Sequence, residues 1–86
     1  MSKNFLNIFK DKTLLITGGT GSFGNAVVKQ LINSELKEIR IYSRDEKKQD
    51  DMRKNINNEK LNFILGDIRD IQQVNNALNN VDYVFH

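Results

Sequence analysis

The residues with the clearest chemical potential are the glycines that follow the first apolar run of the chain. They fit the pattern G-x-G-x-x-G at Gly19, Gly21 and Gly24, and also G-x-x-G-x-x-G at Gly18, Gly21 and Gly24. Because glycine has no Cβ, such a loop lets a strand turn tightly into a helix and lets a pyrophosphate approach the backbone. The N–H groups and the dipole of the helix N-terminus would then hold the negative charge. The loop therefore predicts a dinucleotide phosphate site, against the alternative of a chance glycine cluster in a tight turn.

The same loop argues against nucleotide hydrolysis of the Walker type. That chemistry needs Lys and then Ser or Thr after the last glycine, because those side chains reach the phosphates and the magnesium ion. Here Gly24 is followed by Asn25 and Ala26. A Walker loop is excluded.

The glycine loop lies between elements that alternate regularly along the chain. Apolar runs predict strands over 13–17, 38–42, 61–65 and 81–85, and helical spacing predicts helices over 22–33, 46–56 and 71–78. Phe23 and Ile71 belong to the apolar stripes that we expect to face the sheet. Because right-handed crossovers place the second strand beside the first, the pattern predicts an α/β fold. We expect the N-terminal half of a Rossmann-type doubly wound parallel sheet, in the order β-α-β-α-β-α-β.

The end of the second strand bears on the choice of cofactor. An NAD-binding protein usually presents an acid there to the ribose 2′-hydroxyl, whereas this chain has Ser43 and Arg44. A hydroxyl and a guanidinium suit a 2′-phosphate, so NADP is predicted in preference to NAD. Three alternatives stay open: Ser43 and Glu46 as a capping box, Arg44 as a solvated surface charge, and Asp45 as a displaced ribose-binding acid.

Two lysines follow in the first turn of the second helix. Lys47 and Lys48 lie where the helix dipole disfavours cations, which a bound phosphate would explain. The alternative is that they belong to a solvated charged face.

The end of the third strand predicts the adenine contacts. In a dinucleotide fold this strand end lies beside the adenine, so Asp67 can accept from its amino group and Ile68 can pack on its ring. The alternative for Asp67 is a turn residue after Gly66, and Asp70 is predicted to cap the third helix. His86, at the end of the fourth strand, is interpreted as a non-catalytic residue because no acid or nucleophile is identified beside it.

Composition limits the remaining classes of function. The 86 residues are 38% hydrophobic and 28% charged, with a net charge of +2 and no cysteine. This excludes a disulfide framework, and nucleic acid or a membrane is not expected as the main partner. No run approaches the ~20 apolar residues of a membrane span, and we expect a cytoplasmic protein. Residues 1–11 are predicted as an N-terminal extension or short helix, with a surface anchor or oligomer contact as the alternative. Residues 12–86 are predicted as a partial NAD(P)-binding domain that ends after its fourth strand.

Three segments carry a resemblance to a known family. Residues 17–24, 66–70 and 81–86 resemble the extended short-chain dehydrogenase/reductase superfamily, and residues 15–25 and 41–49 resemble more narrowly its UDP-N-acetylglucosamine 4,6-dehydratases. The resemblance implies that bound NADP takes a hydride from sugar C4, that water leaves from C5 and C6, and that the hydride returns at C6. It also implies polysaccharide biosynthesis and a homo-oligomer.

The resemblance also assigns the site residues by position. It implies that the pyrophosphate is surrounded by Gly18, Thr20, Gly21, Ser22, Phe23 and Gly24. It implies that Ser43, Arg44 and Lys48 contact the 2′-phosphate, and that Asp67 and Ile68 contact the adenine. The Tyr-x-x-x-Lys pair of the family is expected beyond His86, since neither tyrosine here has a lysine four residues later. We therefore expect the 86 residues alone to be inactive, with a sugar-nucleotide epimerase or reductase, or a non-catalytic NADP-sensing module, as alternatives.

Overall fold

The computed structural model describes residues 8–18 and 20–86, in which four strands alternate with three helices. The strands are β1 (Thr13–Thr17), β2 (Glu38–Ser43), β3 (Leu61–Leu65) and β4 (Tyr83–Phe85). The helices are α1 (Ser22–Leu31), α2 (Glu46–Asn55) and α3 (Ile71–Ala77). The predicted order of elements is confirmed, and no predicted bound differs from the observed one by more than two residues.

All four strands form one parallel sheet in the order β3-β2-β1-β4. The register pairs Ile16 of β1 with Ile41 of β2 and with Phe85 of β4. The chain therefore moves from β1 through β2 to β3 in one direction and returns to the other side of β1 for β4. This reversal is the crevice at which doubly wound sheets bind ligands, and the predicted fold class is confirmed.

Each face of the sheet carries its own apolar core. On one face Val28 of α1 and Met52 of α2 pack on Ile39 and Ile41 of β2, and all four are at most 2% exposed. On the other face Ala77 of α3 packs with buried residues of β1 and β2. The helices that follow β1 and β2 thus cover one face, and the helix that follows β3 covers the other, as right-handed crossovers require.

Two residues predicted to face the sheet are exposed instead. Phe23 is 66% exposed and Ile71 is 74% exposed. Both lie in the first turn of their helices, which starts above the carboxyl ends of the strands where little of the sheet lies beneath it. The prediction was therefore wrong for both residues, because helical spacing alone does not show where the sheet ends.

The chain before β1 is only partly described. The predicted amphipathic segment over 3–10 lies largely outside the described residues, which begin at residue 8. Phe9 packs against the first core and meets the ring of Tyr83 edge-on, with 5.9 Å between the ring centroids. No helix within the described ranges is long and apolar enough to cross a membrane.

Candidate functional site

Hydrogen bonds hold the turn between β1 and α1 at its start and at its end. Gly18 has a φ of +63°, which is in the left-handed region that favours glycine, and its N–H donates to the Tyr42 carbonyl at 2.9 Å. The Asn25 side chain donates to the carbonyls of Thr20 at 3.1 Å and Gly21 at 3.0 Å. These bonds fix the path of the loop into α1. Asn25 was not predicted as a site residue, because the sequence pattern shows only a polar helical residue there.

The N-terminus of α1 is open to an anion. The helical ladder begins with the bond from Asn25 N to Gly21 O at 2.9 Å, so the N–H groups of Ser22, Phe23 and Gly24 precede it. No side chain of the described residues caps them, and this first turn contains no acid. A Cβ on Gly21 would approach only the Gly18 carbonyl oxygen, at 3.9 Å. The turn thus offers backbone donors and open space, as an incoming pyrophosphate requires.

Two further residues of the loop have different surroundings. Gly24 is buried on α1, where the absence of a side chain permits close packing of helix and sheet. Phe23 projects outward, and its ring lies beside that of Phe85 with 5.5 Å between centroids. Gly19 of the alternative glycine register lies outside the described residues.

The end of β2 differs from the capping box considered above. Asp45, not Ser43, is the N-cap of α2, and its carboxylate accepts the Lys48 N–H at 2.9 Å. Ser43 stays in the strand because its carbonyl accepts the Gly66 N–H at 2.9 Å, which continues the pairing of β2 with β3. The capping-box interpretation of Ser43 and Glu46 was therefore wrong. Asp45 is also engaged as a cap, which counts against its alternative role at the ribose.

Ser43 is buried at 9% exposure, whereas the Arg44 side chain is 68% exposed. The nearest acid to Arg44 is Asp67, with 3.7 Å between Nη1 and Oδ2. At this separation and exposure the ion pair is weak, so the guanidinium can turn toward a ligand.

Asp67 is held in place from several directions. Its N–H donates to Gln73 Oε1 at 3.0 Å, and its carbonyl accepts the Tyr42 hydroxyl at 2.7 Å. The carboxylate accepts the Arg69 side chain at 2.8 Å and the Arg69 N–H at 2.9 Å. The hydrogen bonds from Arg69 to the carboxylate, with a smaller contribution from the charges of Arg69 and Arg44, hold the pKa of the Asp67 carboxyl well below its usual range. This ion pair of Arg69 with Asp67, the Arg69 clasp, was not predicted, because the sequence shows only two oppositely charged residues in a turn.

Gly66 is required by the neighbouring tyrosine. A Cβ at Gly66 would lie 2.6 Å from the Tyr42 hydroxyl oxygen, closer than atoms can approach. Tyr42 is 2% exposed, and burial raises the pKa of its hydroxyl, with the charges of Asp70 and Asp67 adding to the effect. The hydroxyl therefore stays protonated and keeps its bond to Asp67.

A single cavity collects most of these groups at the carboxyl ends of the strands. It is lined by Thr17, Gly18, Tyr42, Ser43, Arg44, Gly66, Asp67, Ile68, Arg69 and His86. Five predicted site residues thus come together: Gly18, Ser43, Arg44, Asp67 and Ile68. The Thr17 hydroxyl and His86 Nδ1 are 2.6 Å apart at its rim, a pair that the sequence did not predict.

The other predicted residues lie on a neighbouring groove or outside both. A groove between α1 and α2 is lined by Thr20, Gly21, Ser22 and Lys48, among others. Lys48 is therefore separated from the cavity that contains Arg44, although both follow β2. Its predicted contact with a 2′-phosphate stays a prediction. Phe23 and Gly24 flank the loop without lining either concavity.

The arrangement fits an extended anionic dinucleotide. The open end of α1 offers donors to a pyrophosphate, and the ends of β2 and β3 offer Ser43, Arg44 and Asp67 at the side where an adenosine would lie. The described residues therefore offer contacts for a pyrophosphate and for an adenosine in the order in which a dinucleotide lies along such a sheet.

Known proteins with similar sequences are enzymes by name. The chain is 59% identical over 83 residues to a UDP-glucose 4-epimerase of Rickettsia prowazekii and 58% identical to that of Rickettsia typhi. Each alignment covers 92% of this chain and 24% of the relative, so the chain spans about a quarter of the length of these curated relatives.

Solved structures show the same fold. The X-ray structure of Pen from Bacillus thuringiensis is 37% identical, with a TM-score of 0.85 over 91% of this chain and 24% of that protein. A wide-type short-chain dehydrogenase/reductase from Veillonella parvula, in complex with NADP, is 20% identical with a TM-score of 0.69 over 85% of this chain and 33% of that protein. This second likeness concerns the fold alone.

A family described as polysaccharide biosynthesis protein matches residues 14–86, which include every strand and helix described above except the first residue of β1. The chain belongs to this family of polysaccharide biosynthesis proteins.

Proposed function

We propose that this chain forms the dinucleotide-binding part of an NADP-dependent enzyme that modifies a UDP-linked sugar. One observation carries the proposal: Gly18 lines the cavity at the ends of β2 and β3, and the turn that begins at Gly18 leads directly to the uncapped N-terminus of α1. When bound, NADP would supply the acceptor for a hydride from the sugar. The residues of this chain bind and orient that cofactor.

The pyrophosphate would lie at the turn that precedes α1. Its oxygens would accept from the N–H groups of the first helical turn, where the helix dipole adds favourable charge. The glycines leave the necessary space, since a Cβ at Gly21 meets nothing closer than 3.9 Å. The proposed set is Gly18, Thr20, Gly21, Ser22, Phe23 and Gly24.

The adenosine would lie at the ends of β2 and β3. Ser43 and Arg44 would bind its 2′-phosphate, with Lys48 approaching from the groove between α1 and α2. The Asp67 carboxylate would accept from the adenine amino group, and Ile68, which is 50% exposed, would cover the ring. The tethers of Asp67 to Tyr42 and Arg69 orient it for this contact.

The contribution of Arg44 can be tested directly. Replacing it with alanine in the full-length protein removes a charged hydrogen-bond donor, so we expect NADP affinity to fall by roughly 10- to 100-fold while NAD affinity changes little. Lys54→Ala is a matched control, since it removes the same charge from the last turn of α2, where Lys54 pairs with Asp50. An unchanged ratio of NADP to NAD affinity after Arg44→Ala would sink the phosphate role.

For the reaction, we propose 4,6-dehydration of UDP-N-acetylglucosamine, which rests on the resemblance of residues 15–25 and 41–49. A second candidate is 4-epimerisation, which is supported by the names of the Rickettsia relatives. Both begin with oxidation at C4 and differ in whether water then leaves the sugar. We place the catalytic residues outside the 86 residues, because neither Tyr42 nor Tyr83 is followed by a lysine at the required spacing. We also propose a cytoplasmic homo-oligomer.

Proton NMR of the sugar nucleotide distinguishes the two reactions. UDP-N-acetylglucosamine incubated with the full-length protein should give a new C6 methyl signal if dehydration is correct. Inversion at C4 without a methyl signal would instead establish the epimerase. If NADP binds but neither UDP-N-acetylglucosamine nor UDP-glucose changes, the chain belongs to a protein that acts on another sugar or that senses NADP without catalysis.

A further inference from the structure

A buried glutamine lies behind the predicted phosphate-binding residues. Gln49 of α2 is 4% exposed, and its Nε2 lies 3.0 Å from Ser43 Oγ, 3.0 Å from the Ile64 carbonyl oxygen and 3.4 Å from the Ser43 carbonyl oxygen. Since carbonyl oxygens only accept, the nitrogen of the amide and not its oxygen must face these groups. The two amide hydrogens are therefore directed mainly to Ile64 and to the Ser43 hydroxyl oxygen.

This bond determines what the Ser43 hydroxyl can do. Its oxygen accepts from Gln49, so its own hydrogen must be donated elsewhere. Within residues 8–18 and 20–86 no acceptor contacts that hydrogen, although Ser43 is almost fully buried. Ser43 lines the same cavity as Arg44 and Asp67. The hydroxyl hydrogen is thus free to be donated to a ligand bound in this cavity.

We propose that Gln49 is a positioning residue that sets the preference of this cavity for NADP over NAD. By donating to Ser43 Oγ it fixes the hydroxyl as a donor toward the 2′-phosphate, beside the guanidinium of Arg44. The inference rests on the proposed function, since it needs the cavity to bind a nicotinamide dinucleotide. It adds that discrimination depends on a residue that does not touch the cofactor.

A purely structural role for Gln49 makes a different prediction. The amide also joins α2 to the ends of β2 and β3, so its loss would loosen the whole adenosine side of the site. Looser packing would weaken NADP and NAD alike. A positioning role changes the ratio of the two affinities, because only NADP carries the group that Ser43 would bind.

The test measures dissociation constants of NADP and NAD in the full-length protein. Gln49→Met has a similar length but cannot donate, and Ser43→Ala removes the donor itself. We expect each to lower the preference for NADP by about 10-fold, as the loss of a hydrogen bond to a charged group does. The double variant should lose no more than either single one, because Gln49 acts through Ser43.

Several outcomes would overturn the inference. One is an unchanged NADP preference in Gln49→Met while both cofactors bind, and another is additive loss in the double variant. Gln30→Met, on the exposed side of α1, controls for the substitution itself. If Gln49→Met does not fold, Gln49→Asn serves the same comparison, since its amide is one methylene short of Ser43. If the unaltered protein binds neither cofactor, the proposed function fails first and this inference fails with it.

Discussion

The three helices begin in two different ways. Asp45 caps α2 by accepting from Lys48 N at 2.9 Å, and Asp70 caps α3 by accepting from Gln73 N at 3.2 Å. Gly21 stands at the same position of α1 and offers no side chain, and no acid of the described residues lies in that first turn. At α2 and α3 an aspartate carboxylate thus accepts a hydrogen bond from the first-turn N–H groups, whereas at α1 no side chain of the described residues does.

This difference separates a structural helix end from one suited to bind a ligand. An Asp cap stabilises a helix by about 1 kcal/mol relative to alanine but only by a few tenths relative to glycine, so Gly21 at α1 gives up a little of the stability that α2 and α3 have. The uncapped helix is the one that follows β1, the interior strand at which the order of the strands reverses. Helix α1 therefore keeps its donors at the position where doubly wound sheets bind phosphates.

The largest expected effect comes from giving α1 the cap that the other helices have. Gly21 has a φ of −78°, and a Cβ there would meet only an oxygen at 3.9 Å, so Gly21→Asp fits the folded chain. We expect stability to be kept or to rise slightly, while dinucleotide affinity falls by about 100-fold or more, since the carboxylate would compete for the N–H groups and repel the pyrophosphate. Thermal unfolding and cofactor titration measure the two effects.

Gly21→Ala is the matched control for this change. It adds a Cβ without a charge or an acceptor, so any loss of binding that it causes reports steric exclusion alone. If Gly21→Asp binds NADP as well as Gly21→Ala does, the end of α1 does not hold the pyrophosphate. The missing cap of α1 would then affect helix stability and not the binding of a ligand.

The next effect concerns the turn that leads into the open helix end. Gly18 has a φ of +63°, and a Cβ there would meet no atom within 4 Å, so a side chain costs conformational energy and not space. We expect Gly18→Ala to lower the free energy of unfolding by roughly 1–2 kcal/mol in urea denaturation. Gly18→Asn should cost less, because asparagine tolerates this region, as Asn80 does at a φ of 63°. Equal losses in the two variants would contradict the conformational explanation.

The two capped helices provide the converse test. Asp45→Ala and Asp70→Ala each leave helix N–H groups unsatisfied, and we expect each to cost about 1 kcal/mol of stability in urea denaturation. Asparagine at the same positions keeps the cap, so Asp45→Asn and Asp70→Asn should recover most of the loss. If neither alanine variant is less stable, the caps contribute nothing, and α1 gives up nothing by lacking one.

These helix ends also show how far the sequence predicts the site. Asp70 was predicted as a cap and is one, because a lone acid just before an apolar periodic run has few other roles. The capping box, one alternative for Ser43, puts the cap of α2 two residues too early, since the cap is Asp45 and the pairing of β2 with β3 extends one residue beyond the apolar run. Local patterns therefore locate a helix start to within a residue or two, and the neighbouring strand decides the rest.

The strands and the cavity were predictable for a different reason than the contacts within it. Parallel strands bring their carboxyl ends to one edge, so Ser43, Arg44 and Asp67 had to lie near Gly18 once the order of elements was known. The bonds from Gln49 to Ser43 depend on how α2 rotates against the sheet, which its polar sequence does not fix. Their geometry emerges only from packing.

The smallest effect concerns Asp67, an acid that lines the cavity and caps no helix. Hydrogen bonds from Arg69, then the charges of Arg69 and Arg44, lower the pKa of Asp67 in the folded chain. Because the folded value lies below the unfolded one, the clasp stabilises the fold fully above about pH 4 and loses this contribution as pH falls further. Asp67→Asn should therefore be less stable than the unaltered protein at pH 6, with the difference shrinking below pH 4.

Urea denaturation at both pH values measures this difference, and Arg69→Gln should reproduce it because it removes the other half of the clasp. A difference that stays constant between pH 6 and pH 3 would mean that the carboxylate gains nothing from Arg69. We expect a small effect because the Asp67 side chain is 30% exposed and that of Arg69 is 76% exposed, so water screens the pair. In this respect Asp67 resembles the end of α1 more than the capped helices, since its groups contribute little to stability and remain accessible to a ligand.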